Sequence, residues 1–376
     1  MTRNPLQQLH QAGQSVWLDY IDRSMLHDGR LVKLIEQDAL VGMTSNPTIF
    51  EKALAEGAAY DAQISSAPSE LTPAELFELI ETDDVRTACD RFASVFESTE
   101  GQDGYVSIEV SPSQAFDADA TVVEARRLWN TVDRPNVMVK VPGTPEGARA
   151  IRRLIAEGIN VNVTLLFAIE AHDRVIEAYL AGLEDRLAAG QPIDRIASVA
   201  SFFVSRVDTE IDKRLNAMAS DAPNEKRDYL HSLRGRAAIA NARLAYKLFT
   251  ERFSGERWDH LAARGAMVQR PLWASTSTKN PAYRDVVYVE QLIGPHTVNT
   301  LPPATMEAFR DHGIVTRTVD MGFEQAAADL AELEAVGISI AQVTQQLLSE
   351  GVSSFQRSFD TLLAGLSRKT ASLVAS

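Results

Sequence analysis

Short apolar runs alternate with longer helical patterns eight times along this chain, and this alternation constrains the fold more than any other feature of the sequence. Runs rich in β-branched residues between amphipathic helices are the signature of repeated strand-helix units and a parallel sheet. We predict strands at residues 15–20, 39–45, 104–110, 136–142, 159–167, 196–203, 270–275 and 296–302. The last two have the weakest patterns.

The segment between the fourth and fifth strands illustrates the helical pattern. Ala148, Ile151 and Ile155 form an apolar stripe at helical spacing. Thr144 and Pro145 precede the stripe. We predict that Thr144 is the N-cap of the helix and that Pro145 occupies its first position. We therefore predict a helix that covers these two strands.

Eight such units can close into a (β/α)8 TIM barrel or form an open doubly wound sheet. A GxGxxG motif after an early strand would favour the open sheet, and the sequence has none. We predict a barrel, as a single domain over residues 1–376 with its strands at about 15–302. Additional helices are expected at the N terminus and over residues 303–376, with the tail from residue 323 outside the barrel.

Net charge and cysteine content exclude several classes of function. The chain has 37 Lys and Arg against 51 Asp and Glu, a formal charge of −14, which repels nucleic acid and anionic membranes. Cys89 is the only cysteine, and the seven histidines are scattered, so we expect neither a disulfide nor a metal site. Without a signal-peptide pattern or an 18-residue apolar run, a cytoplasmic protein is expected.

Alternation along the strands separates two sets of side chains. In the third strand Val106, Ile108 and Val110 share one face and leave Glu109 on the other. The fifth strand is expected to alternate in the same way, with Leu165 on the apolar face. If the apolar faces meet the helices, a polar set converges at the C-terminal ends of the strands, where barrel enzymes carry their active sites. That set is Asp19, Thr44, Asn46, Glu109, Lys140, Asn162, Thr164 and Ser201.

Lys140 is the most informative member of the polar set. Burial in an apolar strand favours the neutral amine, which can attack a ketone carbonyl, and the resulting imine withdraws electrons as aldol cleavage requires. Asp19 and Glu109 suit a general base and a water-positioning acid. The alternative is structural: Lys140 reaches towards water or pairs with Glu109, and the carboxylates are only charge partners.

The remaining candidates are binding residues. Four neutral hydrogen-bonding side chains suit sugar hydroxyls, although each alone could be an ordinary core group: Asn46, Asn162, Thr164 and Ser201. Arg206 and Lys279 follow the sixth and seventh strands, where barrels commonly bind phosphate. Either cation could instead be a solvated surface residue.

Six motifs, SVWLDY, GMTSNPTIF, VSIEVSP, VMVKVPGT, INVNVTLLF and ASFFVSRVD, resemble those of the transaldolases in order and spacing. The resemblance extends from the first strand through VNTLPPATMEAF, and the length is similar to that of the longer bacterial branch. It implies a cofactor-free, class I aldolase type of barrel. Lys140 would form the Schiff base, Asp19 would be the general acid/base, and Glu109 with Thr164 would hold the catalytic water.

The same resemblance implies the binding roles. Asn46 and Asn162 would bind the dihydroxyacetone hydroxyls, with Ser201 nearby, and Arg206 would bind phosphate. Two positions depart from the family pattern. Lys279 stands where a second phosphate-binding arginine is usual, and Phe202 where a proline is common. Lysine lacks the bidentate fork of arginine, so we expect the phosphate geometry to differ from the family pattern at this position.

The implied reaction transfers dihydroxyacetone from sedoheptulose 7-phosphate to glyceraldehyde 3-phosphate, a step of the non-oxidative pentose phosphate pathway. A lid from the tail helices would protect the enamine intermediate from water. Alternatives are a fructose-6-phosphate-type aldolase that releases free dihydroxyacetone, and a non-catalytic sugar-phosphate-binding barrel. Small phosphorylated sugars are the expected partners, no cofactor is required, and the sequence does not distinguish a monomer from a homodimer.

Overall fold

The computed structural model describes residues 3–55 and 57–374, and its parallel strands form a closed barrel in chain order, with β8 hydrogen-bonded back to β1. The strands are β1 (Gln14–Asp19), β2 (Leu40–Thr44), β3 (Tyr105–Glu109), β4 (Val137–Pro142), β5 (Val161–Leu166), β6 (Ser198–Phe203), β7 (Arg270–Ala274) and β8 (Thr297–Leu301). All eight predicted strands are present, so the predicted (β/α)8 barrel is confirmed.

Helices surround the barrel and precede its first strand. They are α1 (Pro5–Gln11), α2 (Arg23–His27), α3 (Arg30–Asp38), α4 (Pro47–Ala55), α5 (Asp61–Ser66), α6 (Pro73–Ser98), α7 (Ala118–Val132), α8 (Pro145–Glu157), α9 (Ile169–Ala188), α10 (Ser205–Ser220), α11 (Asn224–Ser232), α12 (Ala237–Arg252), α13 (Glu256–Ala262), α14 (Val287–Glu290), α15 (Pro303–His312), α16 (Phe323–Ala335) and α17 (Ile340–Val374). A short 3₁₀ helix covers Pro112–Gln114. None of the helices in the described part of the chain is long and apolar enough to cross a membrane.

Helix α8 forms as its sequence predicts. The Thr144 hydroxyl accepts a hydrogen bond from the Gly147 backbone N–H at 2.9 Å, which caps the helix, and Pro145 occupies its first turn. Ile151 and Ile155 are fully buried, and α8 packs between α7 and α9. The helix therefore covers β4 and β5 and holds their apolar faces out of water.

Strand register aligns the polar side chains of three neighbouring strands. Glu109 on β3 pairs with Lys140 on β4, and Lys140 pairs with Asn162 on β5. Residues at paired positions of parallel strands point to the same side of the sheet. The valines on either side of Lys140, Val139 and Val141, are fully buried on the opposite face. The three polar residues, Glu109, Lys140 and Asn162, thus form one row along the barrel interior, which we call the Lys140 row.

Strand β5 departs from the predicted alternation near its C-terminal end. Its pairing with β6 shifts register between Val163 and Leu166, and Leu165 has a φ of +60°. Leu165 packs against Gly351 of α17, where a Cβ would lie 2.9 Å from the Leu165 Cδ2. The prediction that Leu165 continues the helix-facing set is therefore wrong, because a bulge redirects this side chain.

The tail is helical, but α17 does not stand apart from the barrel. It packs against β5 and against α4 and α10, the helices that follow β2 and β6. It also packs against α6, the helix that precedes β3. Its buried residues recur at helical spacing: Val343, Leu347, Gly351, Phe355, Leu362 and Leu366. Helix α17 therefore lies across the C-terminal end of the barrel. The last two residues of the predicted tail, 375 and 376, lie outside the described part.

Candidate active site

Lys140 lies inside the barrel with its amine held by two oxygen atoms. Its Nζ donates to the backbone carbonyl of Ser45 at 2.9 Å and lies 3.1 Å from Oε2 of Glu109. The Lys140 side chain is only 7% exposed. A buried ammonium group is costly unless it is paired and hydrogen-bonded, and these contacts supply both. The amine is thus fixed at the C-terminal end of β4.

Glu109 is the charge partner of this amine. Burial raises the pKa of Glu109, the charge and hydrogen bond of Lys140 pull it back down, and the Asp19 carboxylate raises it. A carboxyl group whose pKa is raised, in contact with an amine, is suited to accept and return a proton. The pair can therefore exchange the proton that a nucleophilic amine must lose.

Asp19 lies at the end of β1 and accepts a hydrogen bond from the Thr44 hydroxyl at 2.8 Å. Thr44 Oγ1 is also 2.7 Å from the hydroxyl of Thr300 on β8. Because the Thr44 proton is directed at Asp19, Thr300 is the donor in the second contact. Burial raises the pKa of Asp19, and the positive charges of Lys140 and Arg206, with the Thr44 hydrogen bond, lower it.

Asn162, the third residue of the Lys140 row, is hydrogen-bonded to Ser201 of β6. The Ser201 hydroxyl donates to Oδ1 of Asn162 at 2.7 Å, and Nδ2 of Asn162 donates to the Ser107 hydroxyl at 2.9 Å. Thr164, on the same strand as Asn162, differs from them. Its hydroxyl is buried and has no hydrogen-bond partner among the described residues. A buried hydroxyl in this condition is a natural site for a bound water.

Asn46 follows β2 and begins the next helix. Its Oδ1 accepts from the Ile49 backbone N–H at 3.1 Å, so this oxygen caps α4. The preceding residue, Ser45, provides the carbonyl that accepts from Lys140. Asn46 is therefore one residue away from a direct contact of the amine, with its side-chain oxygen already engaged.

Arg206 is in the first turn of α10, after β6. Its guanidinium carbon lies 5.2 Å from the ring centroid of Phe203. No carboxylate of the described residues is within ion-pair distance of this half-buried side chain. Burial lowers the pKa of Arg206, and the Asp19 charge raises it. An unpaired, partly buried cation at a helix N-terminus is suited to bind an anion.

Lys279 is placed differently. It is exposed in the loop after β7, and its Nζ donates to the Ser277 hydroxyl at 2.8 Å. It borders a cavity of about 300 Å³ whose walls include Asp212 and Tyr283. In the described ranges no hydrogen bond or ion pair joins Lys279 to Arg206 or to the Lys140 row. Its predicted role at the phosphate site stays a prediction.

The family model described as Transaldolase/Fructose-6-phosphate aldolase matches residues 16–366, which includes every strand of the barrel except the first two residues of β1. The chain belongs to this family. Three transaldolases are among its relatives. The protein from Thermobifida fusca is 50% identical over 98% of this chain and 99% of its own length. Those from Trichodesmium erythraeum and Mycolicibacterium smegmatis are 45% and 48% identical, over 99% and 96% of this chain and 99% and 97% of their own.

Three residues of this transaldolase-family site were missing from the predicted set. Thr300 bridges to Thr44, and the alternation of β8 could have revealed it. The Ser45 carbonyl accepts from the amine, and a backbone group leaves no trace in side-chain patterns. Phe355 on α17 places its ring centroid 6.0 Å from Nζ of Lys140. No local signal marks Phe355, because its position depends on how α17 packs on the barrel.

Proposed function

We propose that this chain is a transaldolase that transfers a dihydroxyacetone unit from sedoheptulose 7-phosphate to glyceraldehyde 3-phosphate through a Schiff base on Lys140, giving erythrose 4-phosphate and fructose 6-phosphate. The observation that carries the proposal is the buried amine of Lys140, held between the Glu109 carboxylate and the Ser45 carbonyl inside the barrel. Membership of the transaldolase family and the names of its relatives support the same activity.

In the first step Glu109 takes a proton from Lys140, and the free amine attacks the C2 carbonyl of the donor sugar. The carbinolamine then loses water and becomes a protonated imine. The unpartnered Thr164 hydroxyl and Glu109 hold the water that leaves here and returns when the imine is hydrolysed. The raised pKa of Glu109 supports this proton exchange.

Asp19 breaks the carbon–carbon bond by taking the proton of the C4 hydroxyl, and the electron pair of the C3–C4 bond moves into the imine. The departing aldehyde leaves an enamine on Lys140, which attacks the acceptor aldehyde in the reverse sense. The raised pKa of Asp19 suits a group that must hold and return this proton. The Thr44 hydroxyl orients its carboxylate.

Asn46, Asn162 and Ser201 are proposed to bind the hydroxyl groups of the dihydroxyacetone unit. Arg206 is proposed to bind the phosphate, with Lys279 as a weaker contributor. The described residues contain no grouping of three or more His, Cys, Asp or Glu side chains that could hold a metal ion. The protonated imine accepts the electrons, so the proposed mechanism requires no metal or organic cofactor. A cytoplasmic location is part of the proposal.

Arg206→Ala is expected to raise the KM for phosphorylated sugars by about 10- to 150-fold, because a charge-assisted contact contributes about 1.5 to 3 kcal/mol. A dephosphorylated donor should be affected much less. Steady-state kinetics with both donors measure the difference. Lys247→Ala is a matched control, since Lys247 is an exposed cation on α12 with only a 3.8 Å contact to Glu251 and does not border the Lys279 cavity.

Equal losses of kcat/KM with both donors would remove Arg206 from the phosphate site. Arg206→Lys should recover only part of the affinity, because lysine keeps the charge but not the bidentate geometry. Lys279→Ala should act in the same direction as Arg206→Ala and more weakly.

The proposed function is tested by incubating the protein with fructose 6-phosphate and borohydride, then locating the reduced adduct by mass mapping. We expect a three-carbon or six-carbon adduct on Lys140. Product analysis with and without an acceptor aldehyde separates a transaldolase from an aldolase that mainly releases dihydroxyacetone. A protein that forms no adduct and transfers nothing would be a non-catalytic sugar-phosphate-binding barrel.

A further inference from the structure

Phe355 on α17 is the third group that lies next to the Lys140 amine, after Glu109 and the Ser45 carbonyl. Its ring centroid is 6.0 Å from Nζ, a distance at which an aromatic face attracts an ammonium group. The Phe355 side chain is buried. Two of the amine's neighbours are thus oxygen atoms and the third is an apolar ring.

Contacts on both sides of Phe355 determine how closely α17 approaches the barrel. One turn before it, Gly351 allows the helix backbone to approach Leu165, where a Cβ would lie only 2.9 Å from the leucine side chain. Three residues after it, the Ser358 hydroxyl accepts a hydrogen bond from Thr48 of α4 at 2.8 Å. The position of the ring over the amine is therefore determined by contacts on both sides.

The C-terminal part of α17 is tied to the segment that follows β2. Nζ of Lys369 donates to the backbone carbonyls of Leu54 at 3.1 Å and Gly57 at 2.8 Å, and lies 2.8 Å from Oδ1 of Asp61. These contacts place a cation at the C-terminal end of α4, where the helix dipole favours one. The helix is thus anchored beyond Phe355 as well as beside it.

We propose that Phe355 is a specificity-determining residue that keeps bulk water, beyond the water held by Glu109 and Thr164, from the Lys140 adduct, and so commits the three-carbon unit to transfer rather than to release as free dihydroxyacetone. This inference rests on the proposed function. The enamine left after cleavage must survive until the acceptor arrives, and exclusion of water prevents its loss. An apolar ring offers a water molecule no hydrogen bond.

The competing release follows a defined sequence. A proton adds to the enamine carbon that lost the aldehyde, which regenerates the protonated imine. Water then adds to the imine carbon, the carbon–nitrogen bond breaks, and a proton leaves. In sum, the enamine and one water give the free amine of Lys140 and dihydroxyacetone. Transfer consumes the same enamine with an aldehyde in place of the first proton.

Truncation of Phe355 opens space for water beside polar groups that can hold it. The Ser45 carbonyl and the Glu109 carboxylate both face the amine, and the Thr164 hydroxyl lacks a protein partner. A cavity holds water when it is large enough and offers several polar partners, and Phe→Ala at this position meets both conditions. Release should then compete better with transfer.

The test measures the partition of product with fructose 6-phosphate as donor and a fixed concentration of erythrose 4-phosphate as acceptor. The ratio of free dihydroxyacetone to sedoheptulose 7-phosphate is determined for the wild type and for Phe355→Ala. We expect the ratio to rise by roughly tenfold in the variant. An unchanged ratio in a folded Phe355→Ala protein would overturn the proposal.

Leu362→Ala is the matched control. Leu362 is two turns further along α17, is buried, and lines a cavity beside Leu54 of α4 that reaches neither Glu109 nor Lys140, so its truncation loosens the helix without uncovering the amine. We expect a near wild-type ratio. An equal rise in both variants would assign the effect to general loosening of α17 and would also overturn the proposal.

Phe355→Leu covers the case in which the alanine variant does not fold. Leucine keeps most of the apolar volume and loses the ring, so the ratio should lie between those of wild type and alanine, and above wild type. A ratio equal to the wild type would contradict the role of the ring. Failure of the proposed function looks different, because the wild type itself would then form no adduct and no sedoheptulose 7-phosphate.

Discussion

Lys140→Met is expected to lose turnover by a factor on the order of 10⁴ to 10⁶ and to give no borohydride-trapped adduct, because methionine fills a similar volume without a nucleophile. No other residue in the polar row around Lys140 carries an amine. Initial rates with fructose 6-phosphate and an acceptor aldehyde, together with mass mapping after reduction, measure both losses.

The fold of this variant should survive. Removing one partner of a buried ion pair typically costs about 3 to 5 kcal/mol when the other charge stays unpaired. Here burial already raises the pKa of Glu109, and loss of Lys140 removes the charge and hydrogen bond that lower it. Glu109 can then take up a proton, so the loss of stability should fall below that range. Circular dichroism melts check this expectation.

A folded Lys140→Met protein that kept its turnover and carried the adduct on another lysine would show that Lys140 does not form the Schiff base. Glu109→Gln offers a separate check on the charge pair. It keeps the size of the side chain and a carbonyl oxygen near Nζ, but it cannot accept a proton. We expect slow adduct formation in that variant rather than none.

Asp19→Ala is expected to lose turnover by about 10²- to 10⁴-fold, the usual contribution of general acid–base catalysis, and still to form an adduct on Lys140. The reason is that the amine attacks the donor before the carbon–carbon bond breaks, and only the second event uses Asp19. The measurement pairs steady-state rates with borohydride trapping in the same preparation.

Asp19→Asn is the matched control that keeps the size and shape of the Asp19 side chain. Its side-chain oxygen can still accept from the Thr44 hydroxyl, which donates to Asp19 at 2.8 Å, but the amide cannot carry the proton. Asn and Ala variants should therefore lose similar amounts of activity. An asparagine variant near wild-type rate would show that Asp19 only orients neighbouring groups, and loss of trapping in both would place Asp19 in the adduct-forming step.

The barrel could be predicted from the sequence because apolar residues recur at a different spacing in its strands and in its helices. Val106, Ile108 and Val110 alternate with polar residues, whereas Ala148, Ile151 and Ile155 recur at helical spacing, and both patterns follow from burial of one face. The bulge at Leu165 could not be predicted in this way. A leucine at positive φ leaves the pattern of apolar residues unchanged while it redirects the side chain.

The row of polar residues followed from the same alternation. Glu109, Lys140 and Asn162 were predicted to share the interior, and strand register places them side by side. Contacts that depend on distant segments were not predictable. The Ser45 carbonyl is a backbone group, and Phe355 reaches the amine from a helix more than 200 residues later in the chain. The placement of Lys279 relative to Arg206 likewise depends on the path of a loop.

The position of α17 has a consequence for how the protein is made. This helix follows β8 in the chain, so the ribosome synthesises it after the last barrel strand. N-terminal parts of a chain leave the ribosome first, and a domain generally folds as a unit. A nascent barrel that closes β1 against β8 before α17 docks exposes the Lys140 amine to the sugar phosphates of the cell. The reactive amine is thus covered only after every strand of the barrel has been synthesised.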